Sequence, residues 1–294
     1  MKAQIKRLYQ FLPFKKELFI VLKQFWIPSF YKRLHFKGPF RISVGENHSF
    51  AMHHHNRYGL ETEYFWHGLQ GWESASIEVW AKLCAEAKVI LDIGANEGIY
   101  SLLSKCLSPR ALVIAFEPLP SAFAMLKANV TLNNYDIECE ERAVSDFDGK
   151  GALFSSSEEY STEATLDRSS INVYGLQSWQ VDIVKLSTVI ESLHLEHIDL
   201  IKIDVERAEP GVLKGMGEYL SRFRPSILIE VLNDQIGKEI EDIVRGLNYV
   251  YFDINDDSRN GPKDIKKVSR ICKARCLNYL LLTPEKALEV GLMK

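Results

Sequence analysis

The sequence predicts an α/β protein built on a doubly wound, mostly parallel sheet with helices on both faces. Short apolar runs ending on an acidic residue recur along it, as in Val89–Asp92, Leu112–Glu117, Ile198–Asp204 and Pro225–Glu230. Stretches of helical period separate these runs, the rhythm of buried parallel strands joined by crossover helices. The first run opens into Asp92-Ile93-Gly94-Ala95-Asn96-Glu97-Gly98, a glycine-rich strand-to-helix turn whose Gly94 and Gly98 let backbone approach a ligand closely and take up φ > 0.

Taken in order, residues 1–37 read as a basic, aromatic helical extension broken by Pro13 and Pro28, with Leu8, Phe11, Leu12, Leu18, Phe19, Leu22, Phe25 and Trp26 at helical spacing. Residues 38–87 form a lead-in with an alternating run, Phe40–Val44, then His53-His54-His55, then Tyr64-Phe65-Trp66 and a helix over 75–87. Residues 88–294 hold the α/β domain. Its expected elements are strands at 89–93, 112–116, 137–141, 198–204, 225–231, 248–253 and 277–282. Helices are expected after Ile99, over 120–134 with Phe123, Leu126 and Val130 inward, from Pro210 and over 234–246. Residues 147–178 read as irregular, a hairpin or loop over the sheet edge.

Charge is unevenly spread. Residues 1–37 carry nine Lys/Arg against Glu17, a local +8, which leaves −11 for the remainder of a chain whose net charge is −3. A body that acidic is a poor nucleic-acid binder by phosphate neutralisation. The basic extension suits peripheral contact with an anionic membrane, docking of a partner, or packing on the main domain. No run reaches the ~18 apolar residues of a membrane span. Five scattered cysteines without a C-x-x-C pair fit reduced thiols in a cytoplasmic protein.

Ligands of such sheets bind outside the carboxyl ends of the strands. Asp92, Glu117, Asp146, Asp204 and Glu230 all fall at such ends. Glu117 lies 19 residues beyond Gly98, the distance at which a carboxylate accepts ribose hydroxyls of a dinucleotide or of S-adenosylmethionine. Asn96 stands where G-x-G-x-x-G needs its second glycine, which favours S-adenosylmethionine over a nicotinamide cofactor. Three consecutive histidines suggest a metal, but only His53 and His55 share a strand face and no third ligand has a recognisable spacing, so no metal is assigned to them.

Four ordered motifs resemble the FkbM family of S-adenosylmethionine-dependent methyltransferases: Asp92–Ser101, Ala115-Phe116-Glu117-Pro118, Ala143-Val144-Ser145-Asp146 and Ile198–Glu206. The similarity covers roughly residues 60–285, including Phe65-Trp66-His67-Gly68-Leu69. It implies a class I methyltransferase, Rossmann-like fold with a seven-stranded sheet whose last strand is antiparallel, and O-methylation of a saccharide or other small-molecule acceptor. Expected cofactor contacts are Asp92, Gly94, Ala95, Asn96, Gly98, Glu117, Pro118 and Asp146. Asp204, Glu206 and Glu209 are the candidate bases, with His53–His55 and Glu230 behind them. A divalent metal on Asp204 and its neighbours is an alternative way to acidify the acceptor hydroxyl. Trp66 and Arg207 are expected at the acceptor. Arg207 replaces the glycine of the family's Asp-Val-Glu-Gly-Ala-Glu, so either it binds an anionic acceptor or activity is impaired. The competing readings are a methyltransferase-fold binding protein without turnover and a nicotinamide-dependent dehydrogenase.

Overall fold

The computed structural model describes residues 14–25, 27–155, 164–166, 177–256, 263–272 and 277–293. Leu8, Phe11, Leu12 and Trp26 lie outside them. The chain divides into two compact units, Met1–Trp72 and Glu73–Lys294. Residues 38–72 therefore group with the basic extension, and residues 73–87 with the α/β domain.

The first unit contains helix α1 (Lys15–Phe25), an antiparallel hairpin of β1 (Lys37–Val44) and β2 (His48–His55), and helix α2 (Leu60–His67). Strand β1 buries Phe40, Ile42 and Val44 in alternation, as period-two side-chain placement requires. The core of this unit is aromatic: Phe36 lies 6.4 Å from Phe19 and 4.7 Å from Phe65, while Trp66 lies 5.7 Å from Phe19. Lys23 donates to the Phe65 carbonyl at 2.9 Å, and Tyr31 and Tyr58 donate to Glu63 at 2.7 and 2.6 Å. One face of α1 thus packs within its own unit. Trp66, expected at an acceptor pocket, is 3% exposed and set among Phe19, Tyr31 and Phe65, a core position. His54 is also buried; burial pushes it down to about 3, so it stays neutral beside Thr62. His53 and His55 have their rings 6.3 Å apart.

The second unit opens with α3 (Ser74–Cys84) and then runs β3 (Val89–Ile93), α4 (Ile99–Leu107), β4 (Leu112–Phe116), α5 (Pro120–Asn133) and β5 (Glu138–Glu140). After β6 (Arg142–Val144), β7 (Gly149–Ser155), β8 (Ala164–Thr165) and β9 (Gln177–Val184) come α6 (Leu186–Ser192), β10 (Leu200–Ile203), α7 (Glu209–Gly215) and α8 (Glu218–Phe223). The chain closes with β11 (Ser226–Glu230), α9 (Asp234–Ile243), β12 (Val250–Asn255), β13 (Asp264–Val268), β14 (Asn278–Leu282) and α10 (Pro284–Glu289).

The main sheet has the order β13-β12-β14-β11-β10-β3-β4-β5. Strands β5, β4, β3, β10 and β11 are parallel, and β14 inserts antiparallel between β11 and β12. This is the class I methyltransferase fold, its seven strands extended by β13 at one edge. Such a sheet is covered on both faces, so its strands are apolar throughout. Strand β3 is buried at all five positions.

The segment read as a hairpin or loop contributes antiparallel strands to a second sheet, β6-β9-β7-β8. Its strands are one-sided: Leu153, Val181 and Ile183 pack with Ala143 on Leu119, Ala122 and Met125 of the α5 region. Gly149, Lys150 and Gly151 conceal that pattern at the start of β7. The expected strand at 137–141 is correspondingly short, because Arg142–Val144 leaves the main sheet to pair with β9. On α5 the buried positions are Ala122, Met125, Leu126, Asn129 and Val130, with Phe123 half-buried. Among the described residues no helix is long and apolar enough to cross a membrane.

Trp80 of α3 is fully buried, donates from Nε1 to Ser104 at 2.9 Å and meets Tyr100 edge-on at 5.2 Å. Trp80→Ala is expected to cost ~3–5 kcal/mol by urea unfolding, and a loss below ~1 kcal/mol would contradict this packing of α3 on α4.

Candidate active site

Strand β3 ends at Ile93 because the next residues must turn. Gly94 has φ +80°, and a Cβ there would lie 1.8 Å from the Asp204 carbonyl oxygen. Gly98 has φ +91°, and its Cβ would lie 2.5 Å from a Leu126 methyl. The left-handed backbone expected at both glycines is present, and the close approach each allows is to protein atoms. The Gly94 and Ala95 amides both donate to the Phe116 carbonyl at 2.9 Å, which seats the turn over the end of β4.

Asp92 is 1% exposed, and its Oδ2 accepts the Ser101 amide at 2.9 Å and the Ser101 hydroxyl at 2.5 Å. Burial pushes its carboxyl up to about 6 against these bonds and the Lys202 charge. These bonds tie β3 to the first turn of α4. Glu117 follows β4: Oε2 accepts the Asn96 amide at 2.9 Å and Oε1 the Leu119 amide at 2.8 Å. Burial pushes it up to about 7, while the two amides lower it. Each Glu117 oxygen accepts a backbone N–H, and a carboxylate oxygen has two acceptor positions. Pro118 is half-buried beside it. Asp146 is exposed after β6 and accepts the Ser145 hydroxyl at 3.3 Å.

The adjoining strands supply the acidic side. Lys202, on the central strand β10, is 1% exposed and places Nζ 3.1 Å from Asp204 Oδ2. Burial opposes its charge, but Asp204, Glu73 and Glu230 hold the ammonium above the ordinary lysine range. Carboxylate oxygens of Asp204, Glu206 and Glu230 lie within 4.8 Å of one another, an oxygen set of the type hard divalent cations take. Burial raises Glu230 far above the usual carboxylate range, and the Asp204 charge adds to the rise.

Glu209 is fully buried; its Oε1 accepts the Val205 amide at 3.3 Å and the Arg207 amide at 3.0 Å. Burial pushes it up to about 7. Its carboxylate thus ties down the loop that carries Glu206 and Arg207. Both of those residues are left-handed, with φ +52° and +82°. The Arg207 side chain is exposed, so it stands at the rim without filling the cleft.

Glu73 joins this group without any signal in the sequence. It caps α3 with φ +45°, accepts the Tyr100 hydroxyl at 2.7 Å through Oε2, and accepts Asn278 Nδ2 at 2.8 Å through Oε1. Burial raises its carboxyl, with Lys202 acting in the opposite direction. An acid just ahead of a helix reads as an ordinary N-terminal residue; only its left-handed backbone and convergent partners mark it.

A family model described as "Methyltransferase FkbM domain" matches residues 92–251, more than half of the chain. Over 156 residues the chain is 29% identical to the 31-O-demethyl-FK506 methyltransferase FkbM of Streptomyces tacrolimicus, covering 44% of this chain and 59% of that one. Methyltransferase 1 of Beauveria bassiana is 26% identical over 162 residues, covering 50% and 65%. The AMB antimetabolite synthetase AmbE of Pseudomonas aeruginosa is 30% identical over 182 residues, covering 51% of this chain and 8% of its own. The chain thus spans at most 65% of the length of these relatives. A crystal structure of methyltransferase FkbM from Methylobacillus flagellatus is similar at 14% identity and a TM-score of 0.44, covering 66% of this chain and 43% of that one.

Replacing Arg207 by glycine removes a side chain from left-handed backbone. Arg207→Gly is expected to raise unfolding free energy by about 1 kcal/mol, read from chemical denaturation; a destabilised variant would show that the arginine side chain holds the loop.

Proposed function

The chain belongs to the FkbM methyltransferase family, and from that membership we propose that it transfers a methyl group from S-adenosylmethionine to a hydroxyl of a saccharide or related small molecule. The observation that carries this reading is the contact of Gly94 with the Asp204 carbonyl. It sets the Glu117–Asn96 turn and the Asp204 carboxylate side by side at the ends of β3, β4 and β10. The Streptomyces relative, named for an O-demethyl acceptor, supports oxygen as the methylated atom.

The residues present fit the proposed cofactor. Glu117, at the end of β4, offers its remaining acceptor positions to a ribose diol. Asn96, left-handed at φ +49°, takes the place of the glycine that a diphosphate site needs, and Asp92 and Glu117 add negative charge that a diphosphate would oppose. Gly94, Ala95, Gly98 and Pro118 shape the turn around that carboxylate, and Asp146 stands at the neighbouring loop. Asp92 acts by holding α4 through Ser101. When bound, S-adenosylmethionine supplies an electrophilic methyl on a sulfonium centre.

On the acceptor side the protein must orient a hydroxyl and take its proton. Asp204 is the base we assign: its carboxylate is 30% exposed and is oriented by Lys202 at 3.1 Å. Glu206 and Glu230 flank the acceptor oxygen, while Glu209 holds the loop. Arg207 at the rim is placed to meet an anionic group on the acceptor. The carboxylate trio also offers a divalent cation oxygen ligands; Lys202 beside Asp204 already supplies positive charge there.

Calorimetric titration is expected to give micromolar-range binding of S-adenosylmethionine and S-adenosylhomocysteine with NADH silent, and Glu117→Ala to weaken binding ~10-fold or more. Binding should also weaken as pH falls through about 7, where the buried Glu117 carboxyl takes up a proton. NADH binding, or unchanged affinity in the variant, would remove the ribose assignment. With an acceptor in hand, Asp204→Asn should lower kcat roughly 100-fold or more while cofactor affinity holds; a kcat near wild type would pass the base role to Glu206.

A further inference from the structure

Among the described residues, helix α1 has a second face that its own unit leaves exposed. Phe19 and Lys23 turn inward, toward Phe36, Phe65 and Trp66. Phe14, just ahead of the helix, and Leu18, Val21 and Phe25 within it are 76%, 59%, 55% and 83% exposed. Spacings of three and four residues put Leu18, Val21 and Phe25 on one helical face, and Phe14, left-handed at φ +59°, immediately precedes it. Phe30, just beyond, is 51% exposed as well. Aromatic and aliphatic side chains scattered singly on a surface need no explanation, but a continuous stripe of them does.

Charge identifies what covers the stripe. It lies inside residues 1–37, which hold nine Lys/Arg against Glu17, while the remainder of the chain carries −11. Lys32, Arg33 and Lys37 are exposed shortly after α1, and Lys15 and Lys16 lie within it. An anionic surface attracts only this part of an otherwise acidic chain. We propose that the exposed face of α1 docks on an anionic lipid surface, with Phe14, Leu18, Val21 and Phe25 entering the interface and the surrounding lysines and arginines meeting lipid headgroups.

A second copy of the chain is a poorer occupant. Helix α1 has 11 residues; at 1.5 Å per residue it is about 16 Å long, too short a stripe to approach the ~1,200 Å² of a stable protein interface by itself. Two stripes placed face to face would also bring two basic segments together. A lipid surface imposes neither limit: it takes a short apolar face and rewards the positive charge.

The test is co-sedimentation of the full chain with phosphatidylcholine vesicles and with vesicles containing phosphatidylglycerol, beside the double variant Leu18→Ser, Phe25→Ser. Both substituted side chains are exposed, and circular dichroism and S-adenosylmethionine binding check that the variant is folded. The wild type should partition to the anionic vesicles ~10-fold more strongly than to the neutral ones, raised salt should release it, and the variant should lose most of the binding. Three results would overturn the proposal: equal partition to both vesicle types, equal binding by the variant, or a wild-type dimer in sedimentation velocity that the variant converts to monomer. The last would make a second copy the occupant. Because this readout needs no methyl transfer, it stands or falls separately from the catalytic reading.

Discussion

A single buried ammonium organises the acidic end of this sheet. Lys202 sits on the interior parallel strand β10 at 1% exposure, where an unpaired cation would cost several kcal/mol. Its relief is local: Asp204 at 3.1 Å, with the charges of Glu73 and Glu230 also favouring it. Those acids come from three parts of the fold, the head of α3, the loop after β10 and the end of β11, and Asn278 of β14 anchors Glu73. The converse also holds. The acids repel one another, and burial keeps Glu230 and Glu73 toward the protonated side. A lysine in the strand is what lets so many carboxyl groups share one end of the sheet.

The second constraint is geometric and joins the two halves of the site. At Gly94 any side chain would strike the Asp204 carbonyl, so the turn after β3 and the loop after β10 rest directly on each other. Backbone carries this contact, so it does not loosen when a side chain changes rotamer. The turn is then pinned a second time, since the amides of Gly94 and Ala95 share the Phe116 carbonyl and the Asn96 amide reaches Glu117. Three strand ends become one rigid ledge, which is what positioning two reactants against each other requires.

What the sequence makes legible follows from how local each signal is. Asp92, Glu117, Asp204 and Glu230 end apolar runs, and a strand end is visible from its own neighbours. The roles of Asp92 and Glu209 are less visible, because both spend their hydrogen bonds on backbone amides: Asp92 on Ser101, Glu209 on Val205 and Arg207. Glu73, Tyr100 and Asn278 meet only because the sheet closes around them, and no spacing in the chain records that meeting. Trp66 shows the opposite error. An aromatic run beside a motif looks like a pocket wall, yet its ring is packed against Phe19, brought from more than forty residues away. Strands β7 and β9 are legible only as a hairpin or loop because each buries only one side, and in β7 Gly149 and Gly151 break the alternation.

The loop after β10 shows how an unfavourable residue is kept. Glu206 and Arg207 are consecutive left-handed residues, at roughly 1–2 kcal/mol each for L side chains. Against that cost stand three hydrogen bonds: the amides of Val205 and Arg207 to Glu209, and the Thr165 hydroxyl to the Glu206 carbonyl. At about 1 kcal/mol net apiece, they offset the strain to within its own range. The loop's shape is therefore set by Glu209 from beneath and Thr165 from the second sheet, and does not depend on which residue occupies position 207. That is why the glycine of the family motif can be lost here with the backbone conformation retained. The arginine side chain points to solvent, so what changes at this position is the charge offered at the mouth of the site, and the ledge formed by Gly94, Glu117 and Asp204 keeps its form.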